Sequence, residues 1–245
     1  MTETVFDKQK ALNFVTAKKD TLGTFIDRLS EKPKTAIDLG CSVGFFSQFL
    51  HERGIETLGI DGRDENVVEA RKRFPRVSFE VGNVENTSIQ LKGSFDLVLA
   101  VGLMYHLENP FQAIRNIFAL TKNVAFIETV VAPSEKQAAF LYEEGVSASQ
   151  GLNYMALIPT LPTFVKMLYR AGFKEVYDLQ DLPNNPEFHR SRTGSTKRRI
   201  IVASRQSISL PAEYRLYPEP KSVAKPSGTR FGIVGHVWAY IRKQW

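Results

Sequence analysis

The segment Val101-Gly-Leu-Met-Tyr-His-Leu-Glu-Asn-Pro110 sets a tyrosine and a histidine side by side at the expected end of an apolar strand. An imidazole can take a proton from a neutral group near physiological pH, and a neighbouring phenol can donate a hydrogen bond. His106 is the candidate base and Tyr105 its companion; packing against the next helix is the alternative for both. A second signature lies upstream, in Ile37-Asp-Leu-Gly-Cys-Ser-Val-Gly-Phe45. Gly40 and Gly44 allow a tight turn and close backbone approach to a ligand. A pyrophosphate-binding turn follows G-x-G-x-x-G. Here the spacing is G-x-x-x-G, and Asp38 stands two residues before the first glycine. A carboxylate in that position repels phosphate but suits a ligand with an ammonium group and a sulfonium. Asp61 ends a second apolar stretch about twenty residues on, the place from which an acid bonds both ribose hydroxyls.

These residues need a scaffold, and the apolar pattern supplies one. Strands are predicted over 35–38, 56–60, 77–81, 95–101, 124–128, 173–179 and 199–203, with helices over 45–51, 66–73, 111–120 and 161–171. Strands alternating with helices give a parallel sheet covered on both faces, because each crossover is long and right-handed. The last two strands have only a polar loop with Pro183, Asn184, Asn185 and Pro186 between them, so a hairpin and one reversed strand are expected. Residues 6–29 carry apolar side chains at helical spacing, with a break into two helices near Gly23. Ligands of such sheets bind beyond the carboxyl ends of the strands, where the segments at residues 38–45, 61, 83 and 101–106 converge.

The chain resembles the class I S-adenosylmethionine-dependent methyltransferases on these motifs. Asp38-Leu-Gly-Cys-Ser-Val-Gly44 is similar to the family's glycine motif and Gly59-Ile-Asp61 to its ribose-binding acid. Gly82-Asn83-Val84 lies where the family contacts adenine, with the Asn83 carbonyl as acceptor. The resemblance implies an α/β, Rossmann-like fold: a seven-stranded, mostly parallel sheet with helices on both faces and one antiparallel strand. It implies S-adenosylmethionine as cofactor, held by Asp38, Gly40, Cys41, Ser42, Gly44, Phe45, Asp61, Gly62, Asn83, Val84, Val101 and Met104. Residues 1–33 would form a helical cap, 34–206 the catalytic domain with a substrate-covering insertion at 131–158, and 207–245 a tail. The implied activity is methyl transfer to an oxygen or nitrogen of a small molecule, a glycan or RNA. Gly102-Leu-Met-Tyr-His106, Glu128-Thr129 and Ile158-Pro-Thr160 are further similar to tRNA wobble-uridine carboxymethyltransferases, which use carboxy-S-adenosylmethionine. That activity is one alternative, and a non-catalytic scaffold of the same fold is another.

Composition bounds the partners. The 245 residues fit one domain with appendages. A polar N-terminus argues against a secretory leader, and no apolar run approaches the ~20 residues needed to span a bilayer. The single cysteine, Cys41, excludes an internal disulfide and fits a reducing, cytoplasmic compartment. No histidine or cysteine pairing has metal-ligand spacing, so no metal is expected. Net charge is +6, but residues 190–245 hold 12 Lys or Arg against 2 acids, leaving the preceding body at −4. A basic end of this kind suits an anionic partner. The 189–199 loop would meet RNA phosphates, while the aromatic tail at 231–245 would touch a membrane surface or dock on protein, its own domain or a second copy.

Overall fold

The computed structural model describes residues 6–147, 149–189 and 197–221. The tail at 231–245 and most of the basic loop therefore lie outside the described residues. In chain order the elements are α1 (Gln9–Arg28), β1 (Thr35–Leu39), α2 (Phe45–Glu52), β2 (Glu56–Asp61), α3 (Asp64–Arg73), β3 (Ser78–Val81) and β4 (Phe95–Val101). They continue with α4 (Pro110–Leu120), β5 (Thr121–Val131), β6 (Ala139–Glu143), β7 (Met155–Pro159), α5 (Leu161–Ala171), β8 (Glu175–Leu179), α6 (Pro186–His189), β9 (Lys197–Ser204) and β10 (Tyr214–Leu216).

Eight strands form one sheet in the order β10-β8-β9-β5-β4-β1-β2-β3. The five from β3 to β5 are parallel, and β9 enters antiparallel between β5 and β8. Strand β4 shows why the sheet is covered on both sides. Side chains alternate across a strand, so Val98 and Ala100 join Ile114, Phe164 and Leu168 in one apolar layer. Leu97, Leu99 and Val101 join Leu22, Phe25 and Leu50 in the other. Neither face meets water, which is why the strand reads as a continuous apolar run. Helix α4 begins where the sequence signals it: the Asn109 side chain accepts the Gln112 N–H at 3.0 Å, with Pro110 at the first position.

Four expectations are corrected. The sheet has eight strands rather than seven, because residues 214–216 pair with β8. Too short to read as a strand, they are held by backbone pairing with β8 and by the Tyr214 ring against Phe25. The domain accordingly runs past residue 207: Tyr214 is buried, Tyr169 Oη donates to the Tyr217 carbonyl at 2.7 Å, and Lys166 reaches the Pro220 carbonyl. Helix α1 is unbroken, because Gly23 is a packing position where a Cβ would sit 3.2 Å from the Phe49 ring. Finally, the connection from β8 to β9 carries the short helix α6, and the insertion holds a hairpin of β6 and β7. Among the described residues no helix is long and apolar enough to cross a membrane.

Candidate active site

Strand ends and turns meet around one cavity of about 290 Å³ at the carboxyl edge of the sheet. Gly40 and Gly44 take φ of 70° and 88°, values that an L side chain resists. The turn they make contributes Gly40, Cys41, Ser42 and Phe45 to the wall. The end of β2 contributes Asp61 and Gly62, the segment after β3 contributes Asn83 and Val84, and the end of β4 contributes Val101. Tyr105 and His106 follow on a short 3-10 turn and line the same cavity. Asp61 braces the glycine turn from below: Oδ2 accepts the Ser42 N–H at 2.8 Å, and Oδ1 accepts Arg63 N–H and Asn66 Nδ2–H at 3.0 and 3.1 Å.

Three expected cofactor residues lie elsewhere. Asp38 is 1% exposed, and its Oδ2 accepts a 2.6 Å hydrogen bond from Ser47 beneath the turn, so it does not reach the cavity. Gly44 shapes the turn from behind, where a Cβ would meet the Phe79 ring at 2.7 Å. Met104 is 1% exposed and packs into the core under α4. The Asn83 carbonyl, expected to face adenine, accepts the Glu85 N–H at 2.8 Å. Burial, with Asp38 and Asp61 nearby, pushes the Cys41 thiol up, so it forms a neutral wall and not a nucleophile.

Burial also raises the Asp38 carboxyl, to about 7, against the hydrogen bond from Ser47 and helped by repulsion from Asp61. An acid whose folded-state pKa lies above its unfolded value costs nothing below the unfolded value near ~4. The cost then grows up to about pH 7 and is complete above it. Asp38→Asn is expected to remove this dependence. In urea denaturation at pH 4 and pH 8, the variant should gain about 3–4 kcal/mol on wild type between the two. Parallel pH profiles would show that Asp38 carries no such burden.

Several contributors were not expected. From α1, Phe14 and Lys18 roof the cavity. Lys18 Nζ lies 2.9 Å from Glu128 Oε2, and Arg198 Nη1 lies 2.8 Å from Glu128 Oε1 and 3.3 Å from Tyr105 Oη. Burial disfavours the charges of Lys18 and Glu128 alike; the two cations outweigh it for Glu128 and hold its carboxyl below the usual range, while Lys18 is lowered. The insertion supplies Gln150, Gly151, Leu152 and Asn153 as a far wall, and Arg63 donates to the Gln150 and Gly151 carbonyls. Glu144, from the same insertion, approaches His106 Nδ1 at 2.5 Å. Glu128 stands in a motif already singled out, and a cap and a covering insertion were expected. The particular side chains of Lys18, Arg198 and Glu144 have no local signature, because each arrives from a segment whose placement depends on the whole fold.

The residues fit the cofactor that the glycine motif implies. Ser42 Oγ is buried without a hydrogen-bond partner among the described residues, yet Ser42 faces the cavity, as a hydroxyl awaiting a polar ligand atom would. The Asp61 carboxylate at the end of β2 suits a ribose diol, and the lining is otherwise mostly apolar, which suits the faces of an adenine ring. Among the described residues no three His, Cys, Asp or Glu side chains gather as metal ligands would.

Residues 37–127 match the model of the family described as a methyltransferase domain. That match, the glycine turn and the reversed strand beside β5 make this part of the chain similar to the class I S-adenosylmethionine-dependent methyltransferases. The chain is similar to the O-antigen chain terminator bifunctional methyltransferase/kinase WbdD of Escherichia coli, 31% identical over 107 residues, covering 41% of this chain and 14% of that protein. It is also similar to the tRNA U34 carboxymethyltransferase of Desulfotalea psychrophila, 23% identical over 167 residues, 65% of this chain and 51% of that one. The chain thus spans about half or less of the length of these relatives. Among solved structures, the N-terminal domain of EvdMO1, determined in the presence of SAH and D-fucose, superposes with a TM-score of 0.65 at 20% identity, over 76% of this chain and 82% of that one.

Proposed function

We propose that the protein transfers a methyl group from S-adenosylmethionine to an oxygen or nitrogen of a small-molecule or glycan acceptor. The observation that carries this reading is that one cavity joins the wall at Gly40–Ser42, Asp61 and Asn83 to the pair Tyr105 and His106. The bound cofactor supplies an electrophilic methyl carbon, and the protein supplies everything else. The Asp61 carboxylate holds the ribose, Ser42 meets a polar end, and Phe14 and Leu152 exclude water. His106 takes the acceptor's proton as the acceptor's lone pair attacks in line. A scaffold has no use for a buried, unpaired Ser42 hydroxyl facing an open cavity.

A second reading, carboxymethyl transfer to tRNA, is supported by the extent of the Desulfotalea psychrophila match and by the Arg198 guanidinium beside Tyr105. Glu128 already pairs with both Lys18 and Arg198, which favours the uncarboxylated cofactor. The basic loop also offers less to RNA than its composition suggests: Arg198 turns to Glu128 and Arg199 approaches Asp178 at 3.8 Å. Two measurements test the proposal. Incubation with methyl-labelled S-adenosylmethionine and fractionated glycan, metabolite and RNA extracts should label a non-RNA acceptor; label confined to tRNA would favour the second reading. Calorimetric titration with S-adenosylmethionine should show Asp61→Ala binding about 2–3 kcal/mol more weakly, through lost charge-assisted hydrogen bonds. Equal affinity would remove Asp61 from the ribose site.

A further inference from the structure

The insertion brings one acid against the candidate base. We propose that Glu144 is a positioning residue for His106: its carboxylate fixes the ring in the Nδ1–H tautomer and leaves the Nε2 lone pair free for the acceptor's proton. The inference rests on the reading of His106 as the base.

The geometry supports it from both ends of the carboxylate. Glu144 Oε1 lies 2.5 Å from His106 Nδ1, and Oε2 accepts the Gly151 N–H at 2.7 Å. The Glu144 side chain is 4% exposed and that of His106 16%, so the pair is shielded from water. Burial opposes charge on Glu144, but the hydrogen bonds from His106 and Gly151 outweigh it and hold its carboxyl below the usual range. An ionised carboxylate only accepts hydrogen bonds, so Nδ1 must donate. His106 Nε2 meets no hydrogen-bond partner among the described residues.

The seat is also built by the backbone. The Glu144 N–H bonds the Tyr154 carbonyl at 2.7 Å, closing the strands that carry it. Gly151 lies so close to the His106 backbone that a Cβ would stand 2.3 Å from its carbonyl oxygen. Other charged groups are differently engaged. The Tyr105 ring packs at 4.1 Å from the imidazole, and Arg198 and Glu128 reach the Tyr105 side. Asp61, Arg63, Glu85, Glu108 and Lys18 line the same cavity, with Glu108 bonded to Asn153 and Glu85 to the Asn109 N–H. Glu144 is the acid in contact with the ring.

The step balances without another reactant. The acceptor's O–H or N–H proton passes to Nε2 while its lone pair bonds the methyl carbon, and the carbon–sulfur electron pair stays on sulfur. The imidazolium so formed lies against the Glu144 carboxylate and returns its proton to water. Insertion and base are thereby linked, since the acid that orients the ring belongs to the segment that walls the cavity.

Tautomers are read directly by nitrogen-15 shifts of the full chain labelled at histidine. His106 is assigned by its loss in His106→Ala, at about pH 8.5, where an ordinary imidazole is neutral. Wild type should show one Nδ1–H tautomer, and Glu144→Ala a mixture with Nε2–H. An Nε2–H tautomer in wild type overturns the proposal, even if the variant fails to fold. So does an unchanged Nδ1–H tautomer in a folded Glu144→Ala. Methyl transfer that survives in His106→Ala removes the base itself; the tautomer result would then describe geometry and not catalysis.

Discussion

Replacing His106 by alanine is expected to lower turnover by about 10²–10⁴-fold while S-adenosylmethionine binds almost as before. The residues that fit the cofactor stand on the glycine turn and at the end of β2, whereas His106 stands after β4 and is held by the insertion. Its ring therefore serves the proton and not the ligand. A structural role predicts the opposite pattern: a lower melting temperature with activity per folded molecule preserved. Initial rates under saturating cofactor, together with calorimetric affinity for S-adenosylhomocysteine, separate the two outcomes. Wild-type turnover in a folded variant would end the assignment of His106 as the base.

The second large effect is expected at Glu128. Its carboxylate is fully buried between Lys18 and Arg198, and Lys18 is itself 7% exposed. Glu128→Ala strands two cations in a dry interior, and the loss should reach about 3–5 kcal/mol in chemical denaturation. Removing Lys18 as well leaves Arg198 alone near the Tyr105 hydroxyl, so Glu128→Ala with Lys18→Met should recover part of that loss. Because Lys18 rides on α1, the single variant should also loosen the roof and weaken cofactor affinity. A Glu128→Ala protein as stable as wild type would show that the cluster contributes nothing to holding α1 down.

The parallel sheet was legible because its strands are apolar on both faces and end in glycine or acid. Periodicity and motif agree there, from β1 through β4. Boundaries slipped where backbone pairing rather than composition decides them: β5 extends to Thr121–Val131 because β9 pairs along most of its length. Within the site, the residues on the cavity wall from the glycine turn and strand ends were visible, since short motifs fix both type and position. Asp38 was not, because sequence cannot tell whether a carboxylate points to the ligand or to Ser47. Lys18, Arg198 and Glu144 were invisible for a different reason. Each lies more than thirty residues from the group it meets, and nothing local marks it.

Strand β10 bears on how the sheet ends at its β8 edge. Without that segment the backbone of β8 would be the outer rail of the sheet, with the Val176 carbonyl that accepts the Tyr217 N–H and the Gln180 N–H that bonds the Glu213 carbonyl left free. Such rails recruit one another edge to edge. A chain ended at Ser207 would keep every residue of the candidate site and still precipitate through that rail, whereas one ended at Lys221 would carry its own guard strand.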